Sequence, residues 1–499
     1  MPDLSKLITP KSVAVVGASP RENSAGGAVM RTLHGVDFTG DLYPVNPRYE
    51  DVLGLRCYPS LSELPQTPDS VFIGLAAAGC ADALRAAGER GIRGAVIHAA
   101  GFADAGACGA SRQRELVRIA EHYDIALSGP NNMGVFNLLD RTGMWTMPLQ
   151  RAIPGPVAIL SQSGSAAIAL SEDPRRSGLA YILTAGNEAV LELTDYLEYV
   201  LADDRVRIIL MFVESIRSPA RFAACAHEAV ARGKRILAIK VGRSAGAQAL
   251  IRSHTNSIAG DDETYDAFLD QCGVIRVRDF DDLLELAALY AAYPDPPPAP
   301  GAVAVTTSVG EAALVADLAA RAGLELPQLP APTRRRVQQA LGTFSLPHNP
   351  LDAWGSGWDT QRFREAMTDI AAGTRIPTII AALDAPGSGG GDAHLAREIV
   401  QIFAELRALT GRRFIILNTT AASGTDPGVA ELAAELGIPC VSGLSGGLAT
   451  IARWAGQRPA RDHTPPRLPN VRRRRTEHQA RRDEIDSGDL APDVGAELL

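Results

Sequence analysis

Several features that assign a chain to a specialised class are missing from this sequence of 499 residues. Its six cysteines form no CxxC pair and are scattered at positions 57, 80, 108, 225, 272 and 440. This argues against a disulfide framework and a zinc site, and it is typical of a reducing cytosol. No stretch approaches the ~20 apolar residues that cross a bilayer, and the N-terminus shows no signal-peptide pattern. We therefore expect a cytoplasmic protein with no membrane partner and no metal site.

The chain also lacks an excess of positive charge and has few aromatic residues. The net charge of −8 gives no reason to expect a nucleic-acid partner. Aromatic residues make up only 5% of the chain, whereas alanine and glycine are abundant, as in closely packed α/β layers. The length exceeds what one hydrophobic core usually serves, so we expect two to four domains.

Short β-branched runs alternate with Ala/Leu-rich stretches along the chain, which predicts parallel sheets covered by helices. The second block begins at "PGPVAILSQSGSAAIAL" (154–170), and the third follows the proline-rich "YPDPPPAPG" (293–301). Both open with a strand, a small polar loop and a helix, which indicates two related flavodoxin-like units. The predicted domains are residues 1–145, 150–295 and 301–460, with 461–499 as a basic linker or tail.

Polar residues follow three strands of the second block. The segment "SQSGS" (161–165) follows one strand and precedes a helix, and Glu214 ends the next. A third strand leads through "GRS" (242–244) to His254. Because ligands of parallel sheets bind beyond the carboxyl ends of strands, we expect these residues to share one edge.

A histidine, a carboxylate and a helix N-terminus together suit the transfer of a phosphoryl group. A neutral imidazole can attack a phosphoryl group, and a carboxylate beside it can stabilise the imidazolium that develops. A helix N-terminus can hold the phosphoryl oxygens. Taken singly, His254 could be an ordinary structural histidine, Glu214 a solvated strand end and the Ser-Gly turn a helix cap. Their occurrence at successive strand ends favours a phosphoryl-transfer site.

Further motifs occur in the same chain order as in one known family. They are "SVAVVGASP" (12–20), "YPVNPR" (43–48), "GPNNMGVFN" (129–137), "LSQSGS" (160–165), "GN" (186–187), "VES" (213–215), "KVGRS" (240–244), "SHT…AG" (253–260) and "NPLDAWG" (349–355). Over roughly residues 6–460 the chain resembles the NDP-forming acyl-CoA synthetases, relatives of the succinyl-CoA synthetase α subunit. The resemblance implies that His254 is phosphorylated and that Glu214 supports it. It also implies that Ser163, Gly164 and Ser165 receive the phosphate.

The same resemblance implies a Rossmann-like CoA-binding first domain ahead of the two flavodoxin-like domains. The implied CoA-binding residues are Gly17, Ala18, Ser19, Pro20, Asn46, Arg48 and Asn131. The first loop is not a full GxGxxG, and no acidic residue ends the second strand. Both absences argue against an NAD-linked oxidoreductase.

Two positions depart from the family pattern. Asn256 stands where the family usually has a glycine after the histidine, and Glu311 places a negative charge at a helix start in the third block. We assign the Glu311 loop no catalytic role. The family also uses an ATP-grasp module for ATP/ADP and Mg²⁺, and the three blocks leave no space for its ~200 residues. We therefore expect an ATP-grasp β subunit or a missing C-terminal domain, and an oligomer.

The implied reaction converts a carboxylic acid, CoA and ATP into acyl-CoA, ADP and phosphate through a phosphohistidine and an acyl phosphate. Two alternatives remain open. The chain could be a non-catalytic CoA-binding regulatory subunit, or the core of a protein acetyltransferase. The sequence names neither the acid nor the nucleotide, which could be ADP or GDP.

Overall fold

The computed structural model describes residues 3–149, 153–172, 177–248, 250, 262–342, 347–388 and 393–456. The strands are β1 Ser12–Val16, β2 Asp41–Val45, β3 Asp51–Val52, β4 Leu55–Arg56, β5 Ser70–Ile73, β6 Gly94–Ile97, β7 Ala126–Ser128, β8 Gly134–Asn137, β9 Thr142–Trp145, β10 Pro154–Ser161, β11 Leu179–Thr184, β12 Ile208–Val213, β13 Arg235–Lys240, β14 Ile275–Arg276, β15 Ala302–Thr306, β16 Leu351–Asp352, β17 Thr378–Leu383, β18 Arg413–Asn418 and β19 Cys440–Ser442. The helices are α1 Ser5–Ile8, α2 Ala25–Gly35, α3 Ala77–Glu89, α4 Gly106–Tyr123, α5 Gly164–Ser171, α6 Leu193–Leu201, α7 Pro219–Ala231, α8 Asp262–Gln271, α9 Phe280–Ala292, α10 Val309–Ala322, α11 Ala331–Leu341, α12 Thr360–Gly373, α13 Ala393–Thr410, α14 Pro427–Glu435 and α15 Leu444–Gly456, with short 3₁₀ turns at Leu61–Glu63 and Ala103–Ala105.

The first sheet has the strand order β2-β1-β5-β6-β7, and all its pairs are parallel. Every residue of β5 and β6 is buried, as expected for strands covered on both faces. The chain moves from β1 to β2 in one direction and then crosses to β5 on the other side of β1. The carboxyl ends of β1 and β5 therefore border the crevice where such sheets bind ligands.

The second sheet has the order β14-β13-β12-β10-β11-β8-β9. Its first five strands are parallel, and β8 and β9 continue it as antiparallel strands. The crossover reverses between β10 and β12. Since β8 and β9 lie within the predicted first domain of residues 1–145, the second sheet draws strands from both sides of the predicted division, and the domain limits stay a prediction.

The third sheet has the order β16-β15-β17-β18-β19 and is parallel. If each sheet is numbered from its own first strand, this order is the same as that of the five parallel strands of the second sheet. The predicted fold class, a Rossmann-like sheet followed by two flavodoxin-like sheets, is confirmed. The antiparallel strands β8 and β9 are the addition that the sequence did not indicate.

The three sheets are joined through their cores. One cluster of buried side chains includes Val15 of the first sheet and Leu160 of the second. Another includes Ile159 of the second sheet with Ile415 of the third and Trp454 of α15. Helix α9 is buried from residue 282 to 290 against this second cluster. Among the described residues, none of the helices combines the length and the apolar character needed to span a membrane.

Candidate active site

The start of α5 lies at the carboxyl end of β10, and the sequence makes it an open helix terminus. Ser163 is the N-cap, with an extended backbone, and its side chain accepts a hydrogen bond from the Ala166 amide. The Ser161 hydroxyl accepts from the Ser163 amide at 3.1 Å and donates to the Ser163 carbonyl at 2.6 Å. Within the described ranges, the amides of Gly164 and Ser165 donate to no protein atom. They can therefore hold an anion.

Gly164 is required here by close packing. A Cβ atom on this residue would lie 2.3 Å from Cγ of Met133, far inside van der Waals contact. Any side chain would displace Met133 or tilt the helix start. The absence of a side chain also leaves the first amides of α5 accessible to a ligand.

Gln162 joins this helix start to the neighbouring strand. Its Oε1 accepts hydrogen bonds from the amides of Glu214, at 2.6 Å, and Ser215, at 3.1 Å. Its Nε2 donates to the Ser215 carbonyl and to Oε1 of Glu188, both at 2.9 Å. The structure thus brings Glu214 and the Ser163–Ser165 turn to one sheet edge, at the reversal point between β10 and β12.

A buried ion pair lies behind Gln162. Glu188 is 3% exposed, and its carboxylate accepts from the Leu193 amide at 2.8 Å and pairs with Nε of Arg217 at 2.9 Å. Burial raises the pKa of Glu188, and Arg217 opposes this effect. Sequence reasoning missed Gln162, Glu188 and Arg217 as site residues. Gln162 stands inside the "SQSGS" motif and Glu188 directly follows "GN", so the signal was adjacent to the motifs.

Lys240, the last residue of β13, was also missed. It is 5% exposed, its Nζ donates to the Val241 carbonyl at 2.5 Å, and it lies 4.2 Å from the centre of the Tyr265 ring. Burial lowers the pKa of Lys240 to about 8, with a further contribution from Arg276, while Glu214 favours the charged amine. A second ionisable group therefore lies near Glu214.

The predicted phosphorylation site, His254, and its neighbour Asn256 lie outside the described residues. The chain on either side of this interval is held by charge. Nε of Arg243, before it, lies 3.4 Å from Oδ2 of Asp262, after it. Asp262 is also bound by Arg276 at 2.5 Å. Thus one carboxylate joins the two flanks.

The predicted CoA loop follows β1 at the reversal point of the first sheet. Gly17 has φ +86°, and a Cβ atom there would lie 2.7 Å from the Gly74 carbonyl oxygen, so glycine is required. The Ala18 carbonyl accepts from Nδ2 of Asn46 at 2.8 Å, which ties this loop to the one after β2. Ser19 and Pro20 continue the loop towards α2.

The remaining predicted CoA residues take different positions. Arg48 is exposed, its amide donates to Oδ1 of Asn46 at 3.0 Å, and its guanidinium forms no hydrogen bond within the described ranges. Asn131 follows β7 with φ +57°. Its Nδ2 donates to Oδ1 of Asn187 at 3.3 Å, and Asn187 donates to Asp104 at 2.8 Å. Asn131 therefore links the edges of the first and second sheets.

No group of three His, Cys, Asp or Glu side chains in the described part of the chain could hold a metal ion.

Comparison with family models gives two matches. Residues 11–137 match a CoA binding domain, and residues 154–290 match a succinyl-CoA ligase like flavodoxin domain. The Gly17 loop falls in the first match, and the α5 start, Glu214 and His254 fall in the second.

Comparison with whole proteins gives relatives that are named as ADP-forming acetate–CoA ligases. The chain is 33% identical over 385 residues to acetate–CoA ligase [ADP-forming] I of Archaeoglobus fulgidus, covering 76% of this chain and 55% of that protein. It is 32% identical over 382 residues to the acetate–CoA ligase [ADP-forming] I α subunit of Pyrococcus furiosus, covering 75% of this chain and 82% of that subunit. It therefore spans about half of the longer relative and most of the α subunit.

A solved structure of similar fold is the apo form of dinucleotide forming acetyl-coenzyme A synthetase 1 of Ca. Korarchaeum cryptofilum. The TM-score is 0.77 at 24% identity, over 91% of this chain and 97% of that one. This similarity concerns the arrangement of the three sheets.

Proposed function

This chain belongs to the family of ADP-forming acyl-CoA synthetases, and we propose that it is the part of such an enzyme that binds CoA and carries a phosphohistidine. The observation that carries the proposal is the Gln162 side chain, which ties the backbone of Glu214 to the open start of α5. An anion site and a carboxylate are thereby held at one sheet edge, with His254 following the next strand.

The reaction proceeds in two transfers. Phosphohistidine at His254 gives its phosphoryl group to a carboxylate oxygen of the acid, so that a P–N bond breaks, a P–O bond forms and an acyl phosphate results. The thiolate of CoA then attacks the carbonyl carbon, a C–S bond forms and orthophosphate leaves. The amides of Gly164 and Ser165 hold the phosphoryl oxygens. Glu214 stabilises the imidazolium while His254 is being phosphorylated.

CoA is the substrate of the first sheet in this scheme. The loop of residues 17–20 brings backbone amides to the reversal point, where phosphates of nucleotides commonly bind. Arg48 supplies a cation from the adjacent loop, and Asn131 contacts Asn187 at the edge of the second sheet. The acid, ATP or GTP with Mg²⁺, and an ATP-grasp partner or domain complete the proposed reaction.

A reverse half-reaction tests the histidine. The purified chain is mixed with acetyl-CoA and labelled orthophosphate, and acid-labile protein-bound phosphate is measured. We expect label on the wild type and none on His254→Ala. His122→Ala, at an exposed position of α4, is the matched control and should keep the label. Label of equal amount on His254→Ala would refute the assignment.

Calorimetry tests the CoA residues separately. Arg48→Ala should weaken CoA binding about tenfold, because an exposed Arg–phosphate contact is lost. Dephospho-CoA serves as the comparison ligand. A loss seen only with CoA places Arg48 at the 3′-phosphate, and an equal loss with both places it at the pyrophosphate. Unchanged binding of both ligands would remove Arg48 from the site.

A further inference from the structure

A cavity of about 660 Å³ lies between α2 and residues 146–149, which follow β9. We call it the α2 cavity. Its apolar walls include Val36, Met147 and Leu149, and its polar walls include Glu22, Arg31 and His98. Its volume falls within the ~300–1,000 Å³ of typical small-molecule pockets. The residues assigned above to CoA and to phosphate do not line it.

The α2 cavity lies between the N-terminus of α2, which follows the CoA loop, and Met133, which packs against the start of α5. Ser24, the N-cap of α2, lines one end. Met133 lines another, and Met133 is the side chain that packs against Gly164. A molecule in the cavity that reaches Met133 therefore reaches the wall behind which the α5 amides lie.

The cavity becomes apolar with distance from that wall. Val36, Met147 and Leu149 are partly exposed, although they pack on the core cluster of the second sheet. The Thr32 hydroxyl already donates to the Met147 carbonyl at 3.2 Å. At a rise of about 1.5 Å per residue, α2 separates Val36 from Ser24 by roughly 18 Å. The volume of about 660 Å³ leaves room for an extended or aromatic group along the apolar wall.

We propose that the α2 cavity holds the apolar part of the acid substrate, whose carboxyl group lies at the His98 and Met133 end, and that the enzyme prefers aromatic or medium-chain monocarboxylic acids over acetate. The proposal rests on the proposed function, because the carboxyl group must meet both the phosphoryl group at α5 and the CoA sulfur. A two-carbon acid would leave the apolar walls in contact with water, whereas each buried methylene should favour binding about fourfold.

The pantetheine arm of CoA fits the apolar end less well. Its two amide groups need hydrogen-bond partners when they leave water. At the end lined by Val36, Met147 and Leu149, the Thr32 hydroxyl already donates to the Met147 carbonyl. The guanidinium of Arg31 donates to the backbone carbonyls of Arg21 and Glu22 at the other end of α2. CoA should therefore keep to the loop side of α2, and the cavity and CoA can be tested independently.

The test fills the apolar end by Val36→Phe in the full chain. Thioester cleavage with orthophosphate is followed as CoA release from phenylacetyl-CoA and from acetyl-CoA. We expect the wild type to prefer phenylacetyl-CoA at least tenfold in kcat/KM, and Val36→Phe to lower this ratio at least tenfold through KM. The acetyl-CoA value should stay within twofold. His34→Phe, exposed on the same helix and outside the cavity, should change neither value.

Calorimetry with phenylacetate, acetate and CoA separates the possible failures. Binding of phenylacetate that is lost in Val36→Phe, with CoA binding unchanged, supports the cavity assignment even if no phosphoenzyme forms. The absence of a phosphoenzyme would contradict the proposed function and leave the cavity assignment intact. Weakened CoA binding in Val36→Phe would overturn the inference in favour of the pantetheine arm. A thioester ratio and phenylacetate affinity that are unchanged would overturn it as well.

Discussion

Helices α5 and α10 occupy the same position in two sheets of the same topology, but only the start of α10 carries a carboxylate. Each helix follows the first strand of its sheet, and each is capped by a serine, Ser163 or Ser308, that accepts from the amide three residues on. That third residue is Ala166 in α5 and Glu311 in α10. The backbone arrangement is shared, and the difference lies in one side chain.

Glu311 closes the start of α10 with its own carboxylate. Its Oε2 accepts from the Thr307 amide at 3.3 Å and from the Thr307 hydroxyl, while its amide donates to the Ser308 hydroxyl at 3.2 Å. This reciprocal cap places a negative charge where a bound anion would lie. Ala166 has no polar atom beyond the backbone, so the α5 start keeps its positive end for a ligand.

The carboxyl ends of the third and fourth strands also carry different residues in the two sheets. Lys240 and Asn418 are each the last residue of the fourth strand. Asn418 is fully buried, and its side chain is used by the backbone around it, including Ala385 at 3.1 Å. Asp384, which follows the third strand as Glu214 does in the second sheet, accepts from the Thr419 hydroxyl. The edge of the third sheet therefore carries one carboxylate and an amide that bonds to the neighbouring backbone, whereas the edge of the second sheet carries a carboxylate and the amine of Lys240.

Transferring the closed cap to α5 should have the largest effect. Ala166→Glu introduces a carboxylate at the position equivalent to Glu311, where its negative charge opposes a phosphate at the helix start. We expect the yield of phosphoenzyme in the reverse half-reaction to fall about 10²–10³-fold, as when one oxyanion donor is removed. The measurement is acid-labile label per chain.

Ala166→Gln is the control for size, since position 166 is buried. It should keep most of the label if charge is decisive. Equal loss in both variants, with a lowered melting temperature, would mean that packing and not charge distinguishes α5 from α10.

Removing the charge of Glu214 should have the next largest effect. Glu214→Gln keeps the shape of the side chain, and the backbone contacts to Gln162 do not depend on it. Phosphoenzyme formation should fall about 10–10²-fold through loss of imidazolium support. Asp384→Asn makes the same change at the matching strand end of the third sheet and should leave the rate unaltered. Equal effects of both variants would contradict the proposed division of roles.

The family and the fold class were predictable from the sequence, and the comparisons confirm both. The alternation of strands and helices was sufficient to place Ser163 and Glu214 at one edge, because the carboxyl ends of parallel strands meet there. The functional roles of these residues and of His254 stay predictions. The CoA roles of Gly17 to Pro20, Asn46, Arg48 and Asn131 do so as well.

The rest depended on contacts between distant segments. Glu188 meets Gln162 only after β10 and β11 pair, so no local pattern marks it. The environment of Lys240 depends on Tyr265, which arrives from α8. Strands β8 and β9 join the second sheet because β8 pairs antiparallel with β11. Their short apolar runs do not indicate which sheet they belong to.

Lys240 permits a test of the fourth-strand difference through pH. Burial lowers the pKa of Lys240 from 10.5 to about 8. Folding therefore favours the neutral amine, and its cost to stability is complete below about pH 8 and vanishes as the pH rises above 10.5. The lowered pKa of Lys240 corresponds to a destabilisation of about 3 kcal/mol. Replacing Lys240 removes this cost, but it also removes the hydrogen bond to Val241 and the contact with the Tyr265 ring, which together stabilise the protein by about 1–2 kcal/mol.

Lys240→Met should thus stabilise the protein by about 1–2 kcal/mol at pH 7, and the gain should shrink between pH 8 and 10.5. Urea unfolding of both proteins across this pH range measures it. Asn418, at the equivalent strand end, has no titrating group, so Asn418→Ala should give a difference that is constant with pH. A constant difference for Lys240→Met as well would show that the amine has the same pKa in the folded and the unfolded protein.

Opening the cap of α10 should have the smallest effect and tests the comparison from the other side. Glu311→Ala removes the acceptor used by Thr307 and should cost about 1 kcal/mol of stability. It also removes the negative charge from the helix start, so millimolar phosphate should raise the melting temperature of Glu311→Ala more than that of the wild type. Glu325→Ala removes an equal charge from an exposed position away from the cap and should show no added protection. If phosphate protects all three proteins equally, an open serine-capped helix start is not sufficient for anion binding. The selectivity of α5 would then have to come from Gln162 and Glu214, which α10 lacks.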